Sequence, residues 1–182
     1  MNLLSSTSVF GFYTLLSRVL GYLRDILIAF FLGTSVYADA FFVAFRLPNT
    51  FRRLFAEGTF NAAFIPSYAE EKLKGEETGK KFADEVFNLL LFFLILLVLV
   101  IEIFTPFLVY LIAPGFYSDP EKFSLATEFT RITFPFLLFV SLSSLLSGIL
   151  NTNNKFAAAA AAPIVLNIVL ILSMLVSFYF NQ

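Results

Sequence analysis

Residues 86–113 read VFNLLLFFLILLVLVIEIFTPFLVYLIA, and Glu102 is the single charged residue in this stretch. A membrane-spanning helix needs about 20 consecutive, mainly apolar residues, so this stretch is long enough to cross a bilayer. Two further stretches have the same character. Residues 132–150 read ITFPFLLFVSLSSLLSGIL, and residues 157–180 begin with six alanines and carry no charge. These three stretches indicate an integral membrane protein.

The composition of the 182 residues agrees with this interpretation. Hydrophobic residues make up 59% of the chain and charged residues 14%, against roughly 25% charged residues in an ordinary soluble domain. So few charges cannot cover the surface of a soluble fold of this size. The composition therefore excludes a soluble globular domain, a disordered chain and a basic nucleic-acid binder, and no nucleic-acid partner is expected.

Enzymatic chemistry is not expected either. The chain contains no cysteine and no histidine, so it lacks a thiol nucleophile, a zinc–thiolate site and the commonest general base. Neither a phosphate-binding glycine-rich loop nor a nucleophile paired with a base occurs in the sequence. We expect no enzyme, no cofactor and no metal site.

Two N-terminal stretches are apolar but interrupted by charges. Strongly polar or turn-forming segments separate all the apolar stretches, for example EEKLKGEETGKK at residues 70–81 and PGFYSDPE at residues 114–121. The sequence therefore predicts an all-α membrane protein of about five transmembrane helices in one partial bundle, without a separate soluble domain. The predicted helices cover residues 7–32, 36–68, 84–113, 123–150 and 157–180.

The lysines predict the orientation of these helices. Lys72, Lys74, Lys80 and Lys81 lie in the loop after the second helix, whereas the loop at residues 33–37 has no basic residue. Because short cytoplasmic loops carry the excess of basic residues, the N-terminus is expected in the cytoplasm. The first helix is not expected to be a cleavable signal peptide, since it lacks a basic start and an uninterrupted apolar region.

The arginines are distributed in a different way from the lysines. All six lie inside predicted helices: Arg18, Arg24, Arg46, Arg52, Arg53 and Arg131. A cation at membrane depth costs about 2.5–3.5 kcal/mol on insertion scales. Arginine suits places where a planar group must bind a phosphate or a carboxylate in two places at once. The arginines are therefore the first candidates for function.

Helical geometry places these charges on one face of each N-terminal helix. At about 100° per residue, Arg18, Gly21, Arg24 and Asp25 fall within an arc of about 120°. In the second helix a polar arc is formed by Asp39, Arg46, Asn49, Arg52, Arg53 and Glu57, and Pro48 is expected to bend this helix. Two such helices can line a common cationic cavity, which suits an anionic substrate.

Structural roles for the same charges stay open as alternatives. Arginines near helix ends extend to the membrane interface, which is an alternative for Arg46 and Arg53. Arg24 with Asp25 can mark the outer interface, and Arg53 with Glu57 can form a pair four residues apart.

Two charges outside the N-terminal helices have similar alternatives. Arg131 is expected to pair with Glu128 at an interface. Glu102 is either a proton or cation site, or a residue that faces protein or lies near the outer boundary of the membrane.

Several motifs resemble the MurJ (MviN) family of lipid II flippases. They are SRVLGYLRD at Ser17–Asp25, DAFFVAFRLPNTFRRLFAEGTFNAAFIP at Asp39–Pro66, APGF at Ala113–Phe116, ITFPF at Ile132–Phe136 and GILNT at Gly148–Thr152. The pattern LPN-x-x-RR-x-FAEG is long and specific, and the resemblance covers nearly all of the chain.

This resemblance implies a first bundle of the multidrug/oligosaccharidyl-lipid/polysaccharide flippase fold. Members of the family move the undecaprenyl-diphosphate-linked peptidoglycan precursor across the bacterial inner membrane. By motif position, the family's cavity arginines correspond to Arg18, Arg24 and Arg52. Asp39, Arg53 and Glu57 are further polar positions. The implied partners are the anionic lipid-linked precursor and the membrane lipids.

The chain departs from the family pattern in its length. The family has about fourteen membrane helices in two bundles, and five match the first third. A sixth helix and the second bundle are then expected to be lost sequence or a separate chain. The alternatives are a truncated, transport-incompetent fragment, or an oligosaccharide-lipid or drug exporter of the same superfamily. A cavity for cationic drugs is expected to be acidic, which the arginines disfavour.

Overall fold

The structure is a computed structural model. It describes residues 3–55, 59–153 and 155–180, and the side chains of residues 11–51, 60–153 and 155–180. Every regular element in the described residues is helical. The elements are α1 (Leu3–Leu32), α2 (Val36–Phe55), α3 (Thr59–Lys74), α4 (Glu76–Ile112), a short 3-10 helix (Pro114–Ser118), α5 (Pro120–Thr133), α6 (Phe136–Thr152) and α7 (Phe156–Phe180). The chain is an all-α membrane protein.

In the described part of the chain, three segments are long and apolar enough to cross a membrane: α4, the continuous stretch of α5 and α6, and α7. They coincide with the three stretches that the sequence marks most clearly. The described parts of α1 and α2 are not among them. The helix α1 carries two arginines and an aspartate, and α2 carries four charged residues. The total of five membrane helices stays a prediction.

The helix limits differ from the predicted ones at several places. The stretch predicted as one helix over residues 36–68 contains α2 and the first part of α3, with residues 56–58 outside the described part. Because α3 extends to Lys74 and α4 begins at Glu76, the four lysines predicted in a loop between two helices lie in helices: Lys72, Lys74, Lys80 and Lys81. The stretch predicted over residues 123–150 is divided between α5 and α6 around Pro135. Proline has no backbone N–H and its ring displaces the preceding carbonyl, which interrupts the helix there.

Residues 1–33 and 150–182 belong to one compact unit, in which α1 packs along α7. The buried residues of α7 include Ala160, Ile164, Asn167 and Ile171. Their spacing of four, three and four residues places them on one helix face. The small side chains at the start of α7 let the two helices approach closely. At its other end α1 stops at Gly33, whose φ of 55° is a left-handed conformation that favours glycine.

Residues 34–149 form the second compact unit, which contains α2 to α5 and α6 up to residue 149. Its main apolar core includes Leu94 of α4, Phe134 at the end of α5, and Leu137 and Leu145 of α6, all fully buried. A smaller cluster joins α2, α4 and α5 through Ala40, Val109 and Ala126. Apolar contacts between long helices thus account for most of the buried surface of this unit.

Two glycines of this unit allow close helix contacts. A Cβ atom on Gly79 of α4 would lie 3.0 Å from the Cα atom of Lys72 in α3. A Cβ atom on Gly148 of α6 would lie 3.1 Å from Oδ1 of Asn61, whose Nδ2 donates a 2.8 Å hydrogen bond to Oγ of Ser144. These positions fix how closely α3 approaches α4 and α6.

Candidate substrate-binding site

Arg24 lies on the face of α1 that contacts α7. Ser17, Gly21 and Arg24 are spaced by four and three residues, so they follow one another along the same side of the helix. Asn167 of α7 lies opposite them. A Cβ atom built on Gly21 would be 3.6 Å from Nδ2 of Asn167, which is an ordinary contact.

The Arg24 guanidinium donates three hydrogen bonds to described residues. Nη1 donates to Oδ1 of Asn167 at 2.9 Å, while Nε and Nη2 donate to Oδ1 of Asp25 at 3.0 and 2.7 Å. A guanidinium has five N–H groups, so one on each terminal nitrogen is without an acceptor among the residues that the structure describes. The Arg24 side chain is 28% exposed and that of Asp25 63%, so this fork is available to a further oxygen ligand.

Asn167 is a site residue that our sequence reasoning missed. Apolar content identifies the stretch 157–180 as a membrane helix, and this pattern assigns no function to the one asparagine within it. Asn167 is 5% exposed, and its Nδ2 donates a 3.1 Å hydrogen bond to the Ser17 carbonyl oxygen. The available signal was a lone amide within an uncharged membrane helix, because such groups usually hydrogen bond to a neighbouring helix.

Arg18 is exposed on α1 and makes neither an ion pair nor a hydrogen bond with any residue whose side chain the structure describes. It lies one residue beyond Ser17 and therefore points away from the row that faces Asn167. The structure thus does not bring Arg18 and Arg24 to the same partners. Two arginines and one aspartate give α1 a net charge of +1.

Asp39 lies in the first turn of α2 and is engaged within its own unit. Its Oδ2 accepts a 2.9 Å hydrogen bond from Nζ of Lys122 in α5, and Nζ also lies 5.7 Å from the centre of the Phe116 ring. Lys122 lies just before the helix predicted over residues 123–150, but in the structure it belongs to the first turn of α5. This pair ties the beginnings of α2 and α5 together.

The remaining predicted ligands are at the end of α2. The backbone of Arg52 and Arg53 is helical, and their side chains lie outside the described residues. Glu57 lies outside the described residues altogether. Their assignment as substrate ligands stays a prediction.

Arg46 is exposed on the described part of α2 and lines an open concavity of about 390 Å³. Its other lining residues are Leu47, Thr50, Leu111 and Ile112. Asp39 and Asn49 are also exposed, whereas Ala44 and Leu47 are buried. The polar arc expected from the sequence is therefore the exposed face of this part of α2.

The membrane-embedded acid Glu102 has an unusual environment in α4. Its Oε1 is buried and has no hydrogen-bond partner in the described part of the chain. The charged group that interacts electrostatically with it is Arg131 of α5. Arg131 and Glu128, which were expected to pair, are both exposed and both described, and no ion pair joins them.

Comparison with known proteins identifies the family. The family model described as lipid II flippase MurJ matches residues 28–181. A probable lipid II flippase MurJ of Rhizobium tropici is 46% identical over 183 residues, covering 100% of this chain and 34% of the relative. The lipid II flippase MurJ of Burkholderia cenocepacia is 44% identical over 172 residues, covering 94% of this chain and 33% of the relative.

A more distant relative gives the same result. The probable lipid II flippase MurJ of Aquifex aeolicus is 37% identical over 178 residues, covering 98% of this chain and 35% of the relative. The chain thus spans about a third of the length of the curated relatives that it matches, and corresponding residues occur along nearly all of it. The chain belongs to the MurJ family of lipid II flippases.

Proposed function

We propose that this chain supplies the N-terminal part of a transporter that moves the undecaprenyl-diphosphate-linked peptidoglycan precursor across the bacterial inner membrane. Membership of the MurJ family supports this function. The observation in the structure that carries it is Arg24, whose guanidinium is held by Asp25 and Asn167 while two of its N–H groups have no acceptor among the described residues. Because the chain spans a third of its relatives, transport is proposed for an assembly that includes the remaining helices.

The chemistry of the head group explains why an arginine is needed. A diphosphate carries negative charge that loses its hydration inside a membrane protein, and this loss is costly. Charge-assisted hydrogen bonds from a guanidinium to phosphate oxygens are about twice as strong as neutral ones. Arg24 provides such donors, and the exposed Arg18 adds a second positive charge on α1. Arg52 and Arg53 are proposed as further phosphate ligands.

The polyprenyl tail requires apolar surroundings, unlike the charged head group. The described side chains of α4 and α7 expose many large apolar groups, among them Phe92, Leu99, Val169 and Leu172. Surfaces of this kind are compatible with lipid and with a hydrocarbon tail. We propose that the tail stays in the bilayer while the head group crosses beside the arginines.

The proposed topology is a multi-pass inner-membrane protein with five helices here and a cytoplasmic N-terminus. It rests on the lysines of the last turn of α3 and the first turns of α4 (Lys72, Lys74, Lys80 and Lys81), on Lys155 before α7, and on the absence of basic residues at 33–37. Alternating access in such transporters requires two bundles that move against each other. We propose that an ion gradient or the membrane potential drives this motion.

Complementation in cells depleted of their own flippase tests this function. The chain is supplied alone and together with the C-terminal two thirds of a relative. We expect rescue by the pair, and loss of rescue when Arg18→Ala, Arg24→Ala or Arg52→Ala is introduced. Lys80→Ala is the control, because Lys80 is an exposed residue outside the apolar part of α4.

The other outcomes distinguish the alternatives. Rescue by neither the chain nor the pair would favour a transport-incompetent fragment. Rescue that persists in all three arginine variants would contradict the assignment of the phosphate ligands. Rescue that depends on the arginines would disfavour an exporter of cationic drugs.

A further inference from the structure

We infer that Asn167 is a positioning residue, whose side-chain amide orients the Arg24 guanidinium for the diphosphate. The inference rests on the proposed function, since it concerns how one phosphate ligand is held. Asn167 lies in α7, 143 residues from Arg24 along the chain. Its amide touches α1 at two points, the Ser17 carbonyl oxygen and the Arg24 guanidinium.

The chemistry of these two contacts determines the orientation of the amide. A primary amide has a donor side, Nδ2, and an acceptor side, Oδ1. The Ser17 carbonyl can only accept a hydrogen bond and the Arg24 guanidinium can only donate one. An amide rotated by 180° would place Oδ1 against the carbonyl oxygen and Nδ2 against the guanidinium, and both contacts would be repulsive. The Ser17 carbonyl therefore forces Oδ1 of Asn167 to face Arg24.

Burial makes this arrangement rigid. Asn167 is 5% exposed and lies on the same face of α7 as Ile164 and Ile171. In apolar surroundings a hydrogen bond is stronger, and an unpaired polar group costs more, than in water. A Cβ atom on Gly21 would lie 3.6 Å from Nδ2 of Asn167, an ordinary contact, so the amide packs directly against α1 between Ser17 and Arg24.

An amide also holds Arg24 without removing its charge. Asp25 already accepts from Nε and Nη2 through one oxygen, and a second carboxylate would neutralise the cation further. Asn167 instead fixes Nη1 with a neutral oxygen. The two N–H groups without a described acceptor then keep a constant direction and can meet phosphate oxygens.

Nitrogen NMR of the chain in lipid nanodiscs, with ¹⁵N-labelled arginine, measures this orientation directly. We expect Asn167→Leu to accelerate rotation about the Nε–Cζ bond of Arg24 several-fold, because one of three hydrogen bonds that restrain it is lost. Ser173→Ala is the matched control on α7, since the Ser173 hydroxyl bonds to Val169 of its own helix. An unchanged rotation rate in Asn167→Leu would overturn the inference.

Binding of undecaprenyl diphosphate to the same nanodiscs measures the consequence. We expect Asn167→Leu to weaken binding roughly tenfold, the effect of one hydrogen bond to a charged group. In an Arg24→Ala background the same substitution should have no further effect. An equal loss in both backgrounds would show a structural role and overturn the inference.

A second variant keeps the test decisive if Asn167→Leu does not accumulate. Asn167→Asp should still restrain Arg24 while weakening the binding of the diphosphate, because the new carboxylate neutralises the cation. Wild-type binding by Asn167→Asp would contradict the inference.

The Arg24→Ala variant separates the two roles. If Arg24→Ala itself leaves binding unchanged, the proposed ligand role of Arg24 fails. If Arg24→Ala weakens binding and Asn167→Leu does not, only the role of Asn167 fails.

Discussion

The helices α1 and α4 are both long, but different contacts hold them. Seven residues of α4 are buried, including Leu90, Leu94 and Ile101. None of the described side chains of α1 is buried. Its packing against α7 includes the Asn167 amide, which bonds to Ser17 and Arg24. The fold of α4 thus depends on apolar packing, whereas α1 is also tied to its neighbour by polar bonds.

This difference separates the residues that stabilise the fold from those that bind substrate. Apolar core residues stabilise the fold and are sensitive to polar substitutions, but they offer no charged or hydrogen-bonding group to a substrate. A polar contact between membrane helices is worth about 1 kcal/mol or less, so it adds little stability while it fixes charged groups. Substitutions in α4 should therefore act on folding, and substitutions in α1 on substrate binding.

The largest effect is expected from Leu94→Asp in the core of α4. Leu94 is fully buried, and aspartate at the centre of a membrane helix costs about 2.5–3.5 kcal/mol on insertion scales, in addition to the lost packing. We expect loss of folded protein, measured as accumulation in the membrane fraction. Asn88→Asp, at an exposed position of the same helix, is the control. Normal accumulation of Leu94→Asp would contradict the importance of this core.

A matched pair of glycine substitutions sharpens the comparison. Gly79→Ala places a Cβ atom 3.0 Å from the backbone of Lys72, whereas Gly21→Ala meets only the Asn167 side chain at 3.6 Å. We expect Gly79→Ala to destabilise the protein by about 1–3 kcal/mol. Gly21→Ala should be neutral or slightly stabilising, since alanine favours a helix over glycine by up to about 1 kcal/mol.

Unfolding of the two glycine variants in detergent, by titration with denaturant, measures this difference. Equal midpoints for both variants would contradict the close contact of α3 with α4. A strong loss in Gly21→Ala alone would show that α1 is packed more tightly than its described contacts indicate.

The smallest effect is expected at the ion pair between Asp39 and Lys122. Their side chains are 55% and 28% exposed, and exposed pairs contribute about 0.2–1 kcal/mol. We expect Lys122→Met to lower the unfolding free energy by no more than this, and the difference from wild type to shrink at high salt because of screening. A larger loss that is independent of salt would mean that Lys122 acts through packing on Phe116.

The sequence allowed the membrane class and three spanning segments to be predicted, because both depend on a local pattern of polarity. It also indicated Arg24, since an arginine within an apolar helix is unusual. It did not indicate Asn167 or the pairing of Asp39 with Lys122. Those contacts join residues 143 and 83 positions apart, and a pattern along one helix carries no information on which distant side chain faces it.

The break at Pro135 shows that hydropathy does not predict where a helix is interrupted. Hydropathy made residues 123–150 one membrane segment, and the structure confirms a continuous apolar stretch there. The helix itself is interrupted between α5 and α6. Hydropathy reports polarity and not backbone hydrogen bonds, so it could not show the interruption. Proline alone could not show it either, because other prolines lie inside continuous helices, for example Pro106 in α4 and Pro163 in α7.

The most direct test of the central claim is a binding measurement with two lipids on the chain in nanodiscs. One lipid is undecaprenyl diphosphate and the other is neutral undecaprenol, so that they differ only in the head group. We predict that Arg24→Gln weakens binding of the diphosphate lipid roughly tenfold or more and leaves undecaprenol unaffected, whereas Lys80→Gln changes neither. Equal affinity of wild type and Arg24→Gln for the diphosphate lipid would contradict the claim that this arginine recognises the substrate.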